Sequence, residues 1–147
     1  MTGEVSRVEL ATSADRAALA GLRHRVFVEE QGVPVELEQD DLDEGAIHAV
    51  ARAADGRALG TGRLLLGPGG GARVGRMAVA GEARGQGIGA EILAVLEAAA
   101  ANAGCRRVSL HAQVQAVGFY RRAGYEEEGG VFDDAGIPHV AMAKSLS

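Results

Sequence analysis

The sequence has little of several features that would place it in a special class. It contains one cysteine, Cys105, so no disulfide can form within the chain, as is typical of a protein from a reducing compartment. No window approaches the roughly 18 uninterrupted apolar residues of a membrane span. The N-terminus also lacks the charged and apolar regions of a signal peptide. We therefore expect a cytoplasmic protein that does not associate with a membrane.

An excess of positive charge is absent as well. The chain has 15 basic and 20 acidic residues and a formal net charge of −5, which argues against a nucleic-acid-binding protein. Its 147 residues are enough for one domain, and 47% of them are hydrophobic, as in a globular protein. We found no repeat or low-complexity tract. We expect one domain over residues 1–147, with a core spanning roughly residues 8–144.

Hydrophobic spacing predicts a mixture of strands and helices. The clearest helix begins at Ile88, where apolar residues recur at i, i+4, i+7, i+8 and i+11. Shorter helices are predicted between Ser13 and Gly32 and over residues 114–122. Strands are predicted at residues 5–10, 46–52, 58–66, 73–79, 107–112, 126–132 and 137–144, with a turn at 133–136. This order predicts an α+β fold whose sheet of about seven strands is mixed but mostly antiparallel, with the fifth strand parallel to the fourth.

A glycine-rich turn separates the predicted fourth strand from the long helix. Gly85, Gly87 and Gly89 lack Cβ atoms, so an anion can approach the backbone closely at the helix N-terminus. Arg84 adds a positive charge there. The turn therefore predicts a pyrophosphate-binding loop.

Three kinds of pyrophosphate-bearing ligand are compatible with a loop of this type. Gly85-x-Gly87-x-x-Ala90 fits a dinucleotide fingerprint, but the next strand offers no acidic residue for a ribose hydroxyl, and the loop follows a three-strand meander rather than a first strand. A Walker A loop needs Gly-Lys-Ser/Thr, and no lysine lies nearby. The third ligand is coenzyme A.

Two motifs resemble those of the GCN5-related N-acetyltransferase (GNAT) superfamily. Residues 84–89 (Arg-x-x-Gly-x-Gly), after Met-Ala-Val at 77–79, resemble its acetyl-CoA motif, and residues 119–125 resemble its downstream tyrosine helix. Residues 25–34, the acidic residues within 38–43 and residues 136–139 resemble the ElaA-type bacterial branch.

The resemblance implies a GNAT fold with a β-α-β acetyl-CoA-binding core and no metal. It implies transfer of an acetyl group to a primary amine of a small molecule or peptide, by direct attack in a ternary complex. Many family members carry an asparagine before the tyrosine helix, where this chain has Gln113 and Gln115. The implied cofactor-binding residues are Met77, Ala78, Val79, Arg84, Gly85, Gln86, Gly87, Ile88, Gly89, Ala90, Gln115, Phe119, Tyr120 and Arg122.

By the same resemblance, Tyr120 is the general acid that protonates the leaving thiolate, since a phenol with a pKa of about 10 is close to a thiol in acidity. The general base stays open. His48 and His139 are the leading candidates, and the alternatives are His111 and, acting through water, Glu29 or Glu30. The residues expected to border the acceptor pocket are Arg25, Glu29, Glu30 and Gln31.

Six acidic residues lie between residues 36 and 44. They could attract a cationic amine or bind a metal, but they lack EF-hand spacing, so a solvated loop is favoured. Two other functions stay open: a non-catalytic acyl-CoA-binding or sensing module, and a dinucleotide enzyme. The closing strands could also pair across a homodimer.

Overall fold

A computed structural model describes residues 3–40 and 42–146. These residues form one sheet of eight strands in the spatial order β1-β2-β3-β4-β5-β8-β6, with β7 paired to β8. The strands are β1 (Arg7–Leu10), β2 (Ile47–Arg52), β3 (Ala58–Leu66), β4 (Gly71–Val79), β5 (Arg107–Gln113), β6 (Glu126–Glu127), β7 (Phe132–Asp134) and β8 (Ile137–Ser145).

Four α-helices accompany this sheet within the described residues. The first continues directly into a π-helical segment, His24–Glu30. Single 3₁₀ turns lie at Ser13–Asp15, Pro68–Gly70, Gly81–Ala83 and Val114–Ala116. The helices are α1 (Arg16–Arg23), α2 (Val35–Glu38), α3 (Ile88–Asn102) and α4 (Val117–Arg122). No helix of the described chain is both long and apolar enough to cross a membrane.

The predicted α+β fold and sheet type are confirmed. Strands β2 to β4 form an antiparallel meander, β4 pairs with β5 in parallel, and β5 pairs with β8 antiparallel. The apolar stripe of α3 is buried, with Ile92 and Leu96 fully inaccessible to solvent. A Cβ at Gly62 of β3 would lie 2.9 Å from atoms of both side chains, so this glycine lets α3 approach the sheet closely.

The predicted strand over residues 126–132 is wrong in its middle. Only its ends are strands, β6 and β7, and both pair with β8. Residues 128–131 contain Gly129 with φ +91° and the adjacent Gly130, and such backbone interrupts a ladder. The turn predicted at 133–136 is shorter, because residues 133 and 134 still belong to β7.

The acidic segment is not a solvated loop. Three of its carboxylates, those of Glu38, Asp40 and Asp43, are held by Arg23 of α1, Arg63 of β3 and Arg76 of β4. Arg23 of α1 donates to Glu38 at 2.7 Å and to Asp43 at 2.9 Å, and Arg63 of β3 donates to Asp40 at 2.8 Å and to Asp43 at 3.0 Å. Both arginine side chains are only 5% exposed. The segment is therefore fixed against the sheet, because losing one partner would leave a buried charge uncompensated.

Candidate active site

The two central strands separate halfway along their length. Parallel pairing of β4 with β5 ends at Val74 and Leu110, whereas β5 continues to pair with β8 as far as Gln113. Within the described chain, the second half of β4 therefore has main-chain groups facing β5 without ladder partners. An extended ligand can pair with such an edge as an added strand.

A β-bulge lies where the strands separate. Between the pairs Thr61–Ala78 and Arg63–Gly75, one residue of β3 faces two residues of β4, Arg76 and Met77. Arg76 has φ +51°, a conformation that is unusual for a residue with a side chain. Its guanidinium is anchored by the carbonyl of Glu38 at 3.2 Å and by Asp40 at 3.1 Å.

A cleft of about 500 Å³ opens at this separation. We use "the cleft" for this cavity throughout. One wall comes from β4 and the opposite wall from the ends of β5 and β8 and the start of α4. Residues that follow α1 in the chain line a third side of the cleft. Residues lining it include Phe27, Gln31, Val33, Arg73, Met77, His111, Gln113, Tyr120 and His139.

The glycine loop lies at the C-terminal end of β4, after the turn Gly81–Ala83. Gly85 and Gly87 have φ of +87° and +74°, and Gly87 is the N-cap of α3. No backbone N–H of residues 85–90 donates to a carbonyl of the described chain. Free amides at a helix N-terminus, in a turn of left-handed residues, can bind an anion.

The third glycine has a different role. A Cβ at Gly89 would lie 3.1 Å from the ring of Phe119, so this glycine lets α4 pack against the first turn of α3. The side chain of Ile88 is in the core and Ala78 is also buried, so only their backbone could contact a ligand. Ala90 is exposed beside the free amides.

Two polar side chains of the loop, those of Arg84 and Gln86, are already engaged in hydrogen bonds. Arg84 donates to Glu30 at 2.6 Å and to the carbonyl of Val79 at 3.1 Å, so its charge is partly neutralised. Gln86 accepts from the amide of Val5 at 3.0 Å, which joins the loop to the N-terminal segment. Arg122 is exposed on the last turn of α4.

Tyr120 lies on α4 with its ring buried and 9% of the residue exposed. Its ring packs edge-on against Phe119 and Tyr125, at centroid distances of 4.9 and 5.9 Å. Its hydroxyl has no hydrogen-bond partner in the described chain, and the residue lines the cleft. Burial raises the pKa of Tyr120 to about 12, so the hydroxyl stays protonated at neutral pH. It is a weaker acid than the sequence suggested, roughly 3 to 4 pK units above a thiol.

His139 lines the cleft and His48 does not. Nδ1 of His139 donates to the carbonyl of Ile137 at 2.7 Å, so in the neutral ring Nε2 carries the lone pair. His48 lines a separate cavity of about 290 Å³, where its Nε2 is 3.1 Å from the carbonyl of Asp43. The structure therefore brings only one of the two leading base candidates together with Tyr120.

Of the four residues predicted to border the acceptor pocket, one lines the cleft and three do not. Gln31 lines the cleft, and its side chain accepts from Gln113 at 2.9 Å; Gln113 in turn accepts from Gln115 at 2.6 Å. Three others lie elsewhere: Glu30 pairs with Arg84, Glu29 is 3.1 Å from His24, and Arg25 is 3.8 Å from Glu82. Among the described residues, no group of His, Cys, Asp and Glu could hold a metal ion.

Sequence reasoning missed the cationic part of the cleft, which Arg63, Arg73 and Arg76 line together with Asp40. Alternation along β4 does not reveal this set, because Arg73 and Arg76 are three positions apart and the β-bulge at residues 76 and 77 interrupts the alternation. A strand arginine is usually exposed, so its position on a strand does not by itself identify a site.

Comparisons with known proteins agree with this fold. The family model described as an acetyltransferase (GNAT) domain matches residues 9–146. YjcF of Bacillus subtilis, an uncharacterised N-acetyltransferase, is 41% identical over 127 residues, which cover 84% of this chain and 87% of that protein. Escherichia coli ElaA has 25% identity and a TM-score of 0.80, covering 94% of this chain and 99% of that one. A candidate N-acetyltransferase from Lactobacillus plantarum has 31% identity and a TM-score of 0.89, covering 98% and 100%. The chain therefore belongs to the GNAT acetyltransferase family.

Proposed function

We propose that the protein transfers an acetyl group from acetyl-CoA to a primary amine, by direct attack of the amine while both substrates are bound. Family membership supports the coarser activity, an acyl-CoA-dependent N-acetyltransferase. One observation carries the finer proposal: β4 and β5 separate at a cleft lined by Tyr120, whose hydroxyl has no hydrogen-bond partner among the described residues.

The residues present fit an acyl-CoA. The free amides of residues 85–90 would hold its pyrophosphate, and the unpaired edge of β4 over residues 77–79 would hold the pantetheine arm. When bound, acetyl-CoA supplies an activated acyl group and a thiolate leaving group. The N–H of Met77, beside the bulge, would polarise the acyl carbonyl.

Two side chains of the cleft would move protons. The Tyr120 hydroxyl would donate a hydrogen bond to the departing sulfur, where it is available because burial keeps it protonated. Nε2 of His139 would accept a proton from the amine, directly or through a water molecule. Replacing water by packed side chains around Tyr120 would strengthen both interactions.

The proposal is tested by incubating the protein with acetyl-CoA and a panel of primary amines while free thiol is detected. We expect thiol release that requires both the protein and an amine. Tight CoA binding without thiol release across the panel would instead favour the acyl-CoA-binding module. Binding of NAD or NADP without CoA binding would favour the dinucleotide enzyme.

A further inference from the structure

The cleft extends past the bulge to the first half of β4. Arg73 lines it there, four residues before Met77, which corresponds to roughly 13 Å along an extended strand. The glycine loop lies at the opposite end of the same strand. If the acyl carbonyl is held near Met77, the region around Arg73 is on the side from which the amine must enter.

Charges in this part of the cleft are unevenly paired. Glu38 is held by Arg23 at 2.7 Å, and Asp40 is held by Arg63 at 2.8 Å and by Arg76 at 3.1 Å. Arg73 is different, because no carboxylate of the described chain lies within 4 Å of its guanidinium. Among the described arginines that line the cleft, Arg73 is thus the one without an ion pair, and the carboxylate of Asp134 lies beside its neighbour His111 rather than in contact with its guanidinium.

A neutral imidazole lies against Arg73. One guanidinium nitrogen lies 2.5 Å from Nδ1 and 3.1 Å from Nε2 of His111, and because a guanidinium only donates, the ring nitrogen that receives its hydrogen bond carries a lone pair. Burial and then the charge of Arg73 lower the pKa of His111, although Asp134, 3.8 Å away, acts in the opposite direction. The ring therefore accepts a hydrogen bond without cancelling the charge, and the other nitrogens of the guanidinium stay available as donors.

Apolar side chains complete this end of the cleft. Leu65 lies opposite Arg73 in the β3–β4 ladder, and Leu37 and Leu42 also line the cleft while 54% and 49% exposed. Large apolar residues in such numbers at a cavity mouth favour a ligand with an apolar part.

We propose that Arg73 binds a carboxylate of the acceptor, so that the acceptor class is an amine that also carries a carboxylate and an apolar body, such as an amino acid or short peptide. A guanidinium matches a carboxylate in a bidentate geometry. Polycationic acceptors such as polyamines and aminoglycosides are disfavoured, because they would place positive charge beside Arg73. This inference rests on the proposed acetyl transfer.

The test compares amino acids and dipeptides with their carboxamides as acceptors. The readout is the ratio of kcat/KM for each acid to that for its amide. We expect this ratio to fall roughly ten- to hundredfold in Arg73→Gln, mainly through KM for the acid. Arg73→Lys should retain part of the preference for the acid, because lysine keeps the positive charge but lacks the paired N–H donors of the guanidinium. KM for acetyl-CoA should not change in either variant.

Arg7→Gln is the matched control, because Arg7 is an exposed arginine on β1 outside the cleft. Its ratio should equal that of the wild type, and thermal unfolding should confirm that all variants fold. An equal acid-to-amide ratio in wild type and Arg73→Gln would overturn the inference while leaving acetyl transfer intact. So would an Arg73→Gln defect seen only in KM for acetyl-CoA. Absence of thiol release with every amine would refute the proposed function itself.

Discussion

Replacing Tyr120 by phenylalanine removes one hydroxyl from the cleft and leaves the ring packing in place. Its edge-on contacts with Phe119 and Tyr125 do not involve the oxygen. The hydroxyl makes no hydrogen bond to the described chain, so no intramolecular bond is lost. We expect the free energy of unfolding to change by less than about 1 kcal/mol.

The effect on turnover should be much larger. A positioned acid typically contributes a factor of about 10² to 10⁴ in rate, which corresponds to about 3 to 5 kcal/mol of activation free energy. The donor weakens as its acidity falls, and burial raises the pKa of Tyr120 to about 12, so we expect a loss near the lower end, about a hundredfold. The dissociation constant for CoA should stay within about twofold, because the phosphate loop is unchanged.

Tyr125→Phe is the matched control, because it removes the same atom from a neighbouring ring. The Tyr125 hydroxyl donates to Glu97 at 2.8 Å, and Lys144 donates to the other oxygen of Glu97 at 3.0 Å. The residue is only 1% exposed. Losing this charge-assisted bond should cost about 1.5 to 3 kcal/mol of stability and leave turnover nearly unchanged.

The two variants should therefore show opposite effects: Tyr120→Phe should lose turnover and keep stability, and Tyr125→Phe should lose stability and keep turnover. Turnover is measured by thiol release at saturating acetyl-CoA and amine, and stability by urea unfolding with the m-value checked. Wild-type turnover in Tyr120→Phe would remove Tyr120 from the chemistry. A large loss of stability in Tyr120→Phe would show that its hydroxyl has a structural partner.

Three further predictions concern the loop, the base and the acidic segment. Gly87→Ala should cost about 1–2 kcal/mol of stability, because the φ of Gly87 is +74°, and it should also weaken CoA binding measured by calorimetry. Gly56→Ala is the control: Gly56 has φ +93° in the β2–β3 turn, so this variant should lower stability without changing CoA binding. Equal CoA affinities in the two variants would contradict the assignment of the loop to CoA binding. His139→Gln should lower turnover about a hundredfold while His48→Gln does not, and the reverse order in the thiol assay would make His48 the base. Burial would raise the pKa values of Asp40 and Asp43, but hydrogen bonds from arginine hold both below the usual range; their stabilisation is therefore present above the unfolded pKa of about 3.9 and is lost as pH falls through the lower folded values. As the pH is lowered below ~4, the urea unfolding midpoint should therefore fall less in the Asp40→Asn/Asp43→Asn double variant than in the wild type. Plots of midpoint against pH that run parallel for the two proteins would refute this prediction.

Local patterns were sufficient for most of the fold. The stripe beginning at Ile88 predicted α3, because its period matches the helix and one face had to be buried. A strand–helix–strand order predicted the parallel pairing of β4 with β5, since a short connection would have made them antiparallel. Glycine spacing predicted the loop, and two of its three glycines do require left-handed backbone. Gly89 instead makes room for Phe119, a contact that spacing cannot reveal.

Long-range charge pairing could not be predicted from the sequence. The acidic segment alone is compatible with solvent, a metal or a cationic ligand. Its actual partners are Arg23, Arg63 and Arg76, which are separated along the chain and meet only after the sheet forms. The same limit applies to His48 and His139, since both occupy strands and only the topology decides which one lines the same cleft as Tyr120.

Binding of CoA at the separation of β4 and β5 is the central claim, and amide NMR during a CoA titration tests it most directly. We predict that the largest shift changes fall on the backbone amides of residues 85–90 and 77–79, with smaller changes around Tyr120 and none at His48. Changes confined to the second cavity around His48, or shifts at the loop with NAD but not with CoA, would contradict the account.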